Sequence, residues 1–147
     1  LVPSSAAHRR QRYNGAGHND QDKEEMLKIV LIDDDRLITQ PLARALRQHG
    51  YDVRVAHDGR RGLALVLETA PDVVVLDIMM PDIKGPQVCK NIKMNEETKD
   101  IKIIVLSAYL DDEKFKQMRE YGADVCFSKP LPLAQLKEEV ARLLELS

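Results

Sequence analysis

The sequence predicts a doubly wound α/β domain: a five-stranded parallel sheet of order 2-1-3-4-5 alternating with five helices. Three observations carry this. Residues 29–32, 73–76 and 101–106 are β-branched apolar runs, the first two nearly continuous, as in parallel strands covered on both faces. Amphipathic helical patterns separate the strand segments, and repeated strand–helix units fold as a sheet with right-handed crossovers. Two weaker strand segments, at 53–55 and 125–127, are alternating or short, which suits the two edges. With the second and fifth strands at the edges, the order follows. Ligands in such a sheet bind at the carboxyl ends of the strands, beside the switch point between strands 1 and 3.

A chain of 147 residues, 44% hydrophobic and 31% charged, has room for one globular domain. That excludes an enzyme with separate cofactor and substrate lobes. The formal net charge is −2 and no sustained basic stripe occurs, so nucleic acid is not an expected direct partner. No apolar run approaches the roughly 20 residues that span a bilayer. No signal peptide is visible either, so no membrane association is expected and the expected location is the cytoplasm. Cys89 and Cys126 lie far apart without CxxC spacing, in segments that read as buried. They are expected as free thiols packed as small hydrophobes.

Taken in order, residues 1–25 lack any periodicity and read as a disordered tag or linker, with the folded domain at 26–147. The absence of an initiator Met and the opening LVPSS read as excision from something longer. The cluster His8, Arg9, Arg10 and Arg12 could serve as a basic arm, against the plainer reading of a solvated linker. After the first strand, Ile38, Leu42, Ala45 and Leu46 share a helical face that stops at Gly50. Pro41 interrupts it, so this helix either begins near Thr39 or kinks at the proline. The second helix follows Asp58-Gly59 with Leu63, Val66 and Leu67. Val88 and Ile92 mark the third, and Phe115 and Met118 the fourth, which stops at Gly122. The last helix has the clearest stripe: Leu133, Leu136, Val140, Leu143 and Leu144.

The strand ends carry the chemistry. Strand 1 ends in Asp33-Asp34-Asp35, strand 3 in Asp77, strand 4 in Ser107, and strand 5 in Lys129-Pro130. One Asp after a strand is commonly a turn former or helix cap, and Asp35 fits that role. Four polar groups at four carboxyl ends are harder to dismiss. Asp33, Asp34 and Asp77 cannot all stay ionised side by side without a cation. Oxygen-only ligands select Mg2+ or Mn2+ over zinc, and three carboxylates, one divalent ion and Lys129 balance in charge. A flavin phosphate would instead need backbone N–H groups after strand 1, where this chain places three aspartates. GxGxxG and GxxxxGK[ST] loops are absent.

IVLIDDD at 29–35, VVVLDIMMP at 73–81, IIVLSA at 103–108 and FSKP at 127–130 resemble the receiver domains of two-component response regulators. The resemblance covers roughly residues 27–146, in order and spacing, and implies the flavodoxin-like (βα)5 fold. It implies that Asp77 is the phosphoacceptor, taking a phosphoryl group from a phosphohistidine of a sensor histidine kinase or phosphotransfer protein. Asp33, Asp34, Asp77 and the backbone carbonyl of Met79 would hold Mg2+. Ser107 and Lys129 would each bind a phosphoryl oxygen, with the Lys129–Pro130 bond cis as in many relatives. Such a domain is a signalling module, not an enzyme, although its parent could be a hybrid histidine kinase. Its switched state would be read by a downstream protein, an output domain outside this chain, or a phosphorylation-dependent dimer.

Two departures from the family pattern stand out. Met79 and Tyr109 occupy positions that often carry an amide and an acid in fast-hydrolysing relatives, which predicts slow self-dephosphorylation. Cys126 stands where many receivers place a switch Tyr or Phe, and Phe127 points to the opposite face of the strand. The plainer reading of Cys126 is ordinary half-buried packing. Two rivals remain in view: a haloacid-dehalogenase-like phosphohydrolase using Asp33 as nucleophile, and a pseudo-receiver that has lost phosphorylation. The first lacks room for a cap, and the complete set of Asp33, Asp34, Asp77, Ser107 and Lys129 opposes the second.

Overall fold

A computed structural model describes residues 26–145. The expected linker at 1–25, with its basic cluster, lies outside the described residues, as do the last two positions. Five strands, β1 (Lys28–Ile32), β2 (Asp52–Ala56), β3 (Val73–Asp77), β4 (Lys102–Ser107) and β5 (Val125–Ser128), form one sheet of order β2-β1-β3-β4-β5. All four pairings are parallel. The helices are α1 (Arg36–Gln48), α2 (Gly59–Thr69), α3 (Gly85–Met94), α4 (Asp112–Glu120) and α5 (Leu133–Glu145).

The apolar runs explain the layering. Along β1, Ile29 and Leu31 face the core shared with α1 and α5, while Val30 and Ile32 face the core shared with α2, α3 and α4. β3 and β4 divide in the same way, since successive strand side chains point to opposite faces. Each central strand therefore lies between two apolar layers and needs hydrophobic residues at every position.

Aspartates set three helix starts. Asp35, Asp58 and Asp111 accept backbone N–H bonds from Leu37, Arg61 and Lys114, each such cap being worth about 1 kcal/mol. Gly50 and Gly122 follow α1 and α4 at φ 100° and 107°, conformations open to glycine. The Asp35 cap starts α1 at Arg36, so a start near Thr39 is excluded and the helix runs through Pro41. Two facial assignments shift. Leu67 is exposed, and α2 instead packs through Gly59, Gly62, Val66 and Thr69. A Cβ on Gly62 would meet Ile32 Cδ1 at 2.6 Å, so glycine lets this helix press onto β1. The buried stripe of α1 is Thr39, Ala43 and Leu46, with Ile38, Leu42 and Ala45 only partly covered beside it.

Candidate functional site: an acidic rim with one lysine

The strand order delivers the predicted residues to one rim. Asp77 is the last residue of β3, Asp33 and Asp34 follow β1, and Ser107 ends β4. Lys129 follows β5, and its bond to Pro130 is cis. Carboxylate oxygens of Asp33, Asp34 and Asp77 lie within 4.8 Å of one another. Lys129 Nζ stands 2.7 Å from Asp33 Oδ2 and 3.4 Å from Asp77 Oδ2. Asp33 and Asp77 are each only 7% exposed, whereas Asp34 is open to solvent.

Backbone donors hold the two buried carboxylates in place. Asp33 Oδ1 accepts from the Asp35 N–H at 2.9 Å, and Asp77 Oδ1 accepts from the Met79 N–H at 3.0 Å. Burial raises the Asp77 pKa above its ordinary value, and the Asp33 charge adds to this against the opposing Met79 and Lys129 contacts. Burial also pulls the Lys129 ammonium down, but the Asp33 hydrogen bond and the charges of Asp33 and Asp77 leave its pKa raised. Lysine stays charged and clasped between two acids.

Ser107 is fully buried, and its hydroxyl accepts from the Tyr109 N–H at 3.3 Å. The Lys129 N–H donates to the Ser107 carbonyl at 2.8 Å, tying the ends of β4 and β5 together. The Met79 and Tyr109 side chains do not join the cluster. Met79 is exposed, with Lys114 Nζ 3.9 Å from its sulfur, and Tyr109 is 70% exposed. Cys126 is buried in the core shared with α2, α3 and α4, more deeply than half-buried packing implies, while Phe127 packs on the opposite face. Both cysteines are free, and burial pushes the Cys89 thiol up to about 12.

Two neighbours of the rim were missed in the sequence. His57 follows β2, and its Nδ1 lies 3.1 Å from the Asp33 carbonyl, to which it donates. The end of β2 reaches the same rim as the other four, which was the available signal. Asp82 accepts from the Gly59 and Arg60 N–H groups at 2.9 and 3.0 Å, tying the loop after β3 to the start of α2. Those bonds lower its pKa to about 2. No sequence spacing marks that contact, because it joins segments more than twenty residues apart.

The donor set suits a hard cation. It is all oxygen, carries three formal negative charges on converging side chains, and is partly neutralised by Lys129. Asp77 also has the features of an acceptor: it is the one acid at the end of the central strand, aligned by a backbone N–H and flanked by a cation.

Comparison with known proteins agrees with this geometry. Residues 29–141 match the response regulator receiver domain family. The chain is 35% identical over 119 residues to the DNA-binding dual master transcriptional regulator RpaA of Synechocystis sp., a match covering 81% of this chain and 49% of that protein. Among solved structures it resembles the chemotaxis protein CheY4 of Vibrio cholerae, with TM-score 0.76 and 30% identity over 80% of this chain and 98% of that one. It also resembles a BeF3-activated DrrB receiver domain, with TM-score 0.74 and 36% identity over 82% of this chain and 98% of that one. The chain spans about half the length of the curated relatives it matches. The fold, the acidic rim and the matched span together make this chain a member of the response regulator receiver domain family of two-component signalling.

Proposed function

We propose that residues 26–147 form a phosphoacceptor domain in which Asp77 takes a phosphoryl group from a phosphohistidine on a sensor histidine kinase or phosphotransfer protein. The observation that carries this reading is the convergence of Asp33, Asp34 and Asp77 within 4.8 Å, with Lys129 reaching two of them. In the reaction an Asp77 carboxylate oxygen bonds to phosphorus as the phosphorus–nitrogen bond to imidazole breaks, and the electron pair leaves with the imidazole. Asp33, Asp34, Asp77 and the Met79 carbonyl would hold Mg2+ or Mn2+, which supplies charge neutralisation for the crowded oxygens.

Asp is a weak nucleophile, so the rest of the chain contributes by alignment and charge. The Met79 N–H fixes one Asp77 oxygen and leaves the other facing Lys129. Lys129, close to both acids, neutralises one phosphoryl oxygen, and the Ser107 hydroxyl donates to another. Met79 offers no group that would hold an attacking water, and Tyr109 carries an exposed phenol where an acid would place one, which favours a long-lived acyl phosphate. Cys126 leaves the usual aromatic switch position without a ring, so the change of state is carried by other residues. A phosphohistidine donor places the domain in the cytoplasm. The readers would be a downstream protein, an output domain outside this chain, or a second copy of the phosphorylated domain. Nucleic-acid binding, named for the cyanobacterial relative, is not assigned to this domain.

Acetyl phosphate with Mg2+, followed by intact-mass measurement, tests the reading. Wild type should gain one phosphoryl group, and Asp77→Asn or the metal-free protein should gain none. A folded wild-type domain that stays unmodified would be a pseudo-receiver, and the proposal would fall.

A further inference from the structure

Next to the acidic rim, α1 and the edge strand β2 flank an open groove of about 640 Å3, within the range of small-molecule sites. Its lining carries Arg44, Arg47, His57, Gln40 and Gln48 on an apolar wall that includes Val55. Among the described residues no carboxylate lines it, and α1 itself contains three arginines and no acid. Arg47 is already positioned, since its Nε and Nη2 both donate to the Val53 carbonyl at 3.1 and 2.7 Å. Arg44 is exposed and has no ion-pair partner among the described residues. Thr39 also lines the groove. It is 1% exposed, and its hydroxyl is buried without a hydrogen-bond partner. Buried hydroxyls are normally satisfied, so this one, closed off behind the groove wall, leaves a polar group unsatisfied there.

We propose that this groove is a regulatory site for a small organic oxyanion, a molecule whose phosphate or carboxylate group pairs with Arg44 and Arg47. The Arg44 guanidinium fork matches either anion with two parallel hydrogen bonds, and Arg47, whose Nε and Nη2 are held by the Val53 carbonyl, offers its Nη1 edge. The volume exceeds what an inorganic ion fills, and the glutamine amides and the apolar wall accommodate an organic body. The occupant would be felt at the acidic rim through His57, whose ring lines the groove while its Nδ1 donates to the Asp33 carbonyl. The Asp33 N–H in turn donates to the Ala56 carbonyl at 3.1 Å, so the end of β2 brackets the backbone of this acid from both sides. Binding stands independently of the phosphoacceptor assignment; only its regulatory consequence rests on that reading.

The test is an amide chemical-shift titration of the isotope-labelled chain in metal-free buffer of constant ionic strength, using pyrophosphate, citrate and sodium chloride separately. Saturable shifts at Thr39, Arg44, Arg47 and His57 with pyrophosphate alone identify a phosphate-type ligand. The same shifts with citrate alone identify a carboxylate-type ligand. Arg44→Glu, on the exposed face, should weaken binding about tenfold or more. The Asp33 amide should shift with the same midpoint as His57. Shifts that never saturate, that chloride reproduces, or that survive Arg44→Glu unchanged would overturn the site. Saturation without movement at Asp33 would overturn the regulatory link. Failure of the phosphoacceptor reading shows separately, as absence of the acetyl phosphate mass gain.

Discussion

Asp77 is held by opposing forces, of which burial is the largest. Burial and the Asp33 charge raise its pKa, so the folded chain binds that proton more tightly than the unfolded chain, whose group titrates near 3.8. The stabilisation from this group is therefore complete below 3.8 and is lost as pH rises through the folded pKa. Lys129 has its shorter contact with Asp33, so removing the Asp77 charge leaves the lysine paired. Asp77→Asn should thus melt at a higher temperature than wild type at neutral pH without metal, and the difference should vanish near about pH 3. Thermal unfolding at the two pH values checks this. Met79 and Tyr109 carry the second prediction at this scale. Met79→Asn with Tyr109→Glu supplies an amide and an acid able to place water, and should shorten the acyl phosphate lifetime about tenfold, a change of about 1.4 kcal/mol in barrier. A longer lifetime by intact mass over time would contradict it. Tyr109 is 70% exposed and does not cover Asp77 here, so the expected slowness rests mainly on the missing water-holding groups.

Elements were legible where chemistry is periodic and obscure where it is local. The apolar runs identified the central strands, and alternating faces placed Cys126 and Phe127 on opposite sides, as observed. Leu67 misled because its spacing fits a helical face whose packing is set by Gly59 and Gly62, residues with no hydrophobic signal. Another local feature left no apolar trace: α2 ends at Ala70 in the left-handed region, φ 44°, where glycine is the usual residue. Ala70→Gly should raise stability by about 1 kcal/mol, measured by denaturant unfolding. Gly85 shows the opposite constraint. A Cβ there would meet the backbone Cα of Ile78 at 2.5 Å, so α3 begins in close contact with the loop beside Asp77. Gly85→Ala should cost about 2 kcal/mol and should also slow phosphorylation, because the displaced loop carries the Met79 N–H.

For the whole molecule, strand order converts four separated sequence segments into one rim. That step was readable because edge strands are short or alternating while central ones are continuously apolar. The clasp of Lys129 on Asp33 and Asp77, and the contact of the His57 ring with the Asp33 carbonyl, depend on side-chain directions that no spacing encodes. A cation bound only by the folded rim must stabilise the fold. Mg2+ at a hundredfold excess over its dissociation constant should add about 2.7 kcal/mol, and Asp33→Asn should remove most of it. On the proposed function Asp77, not Asp33, receives the phosphoryl group. Borohydride reduction after acetyl phosphate and Mg2+ treatment, followed by peptide sequencing, locates the acyl phosphate as homoserine. Homoserine should appear at position 77, and homoserine at position 33 would overturn the assignment of Asp77 as the acceptor.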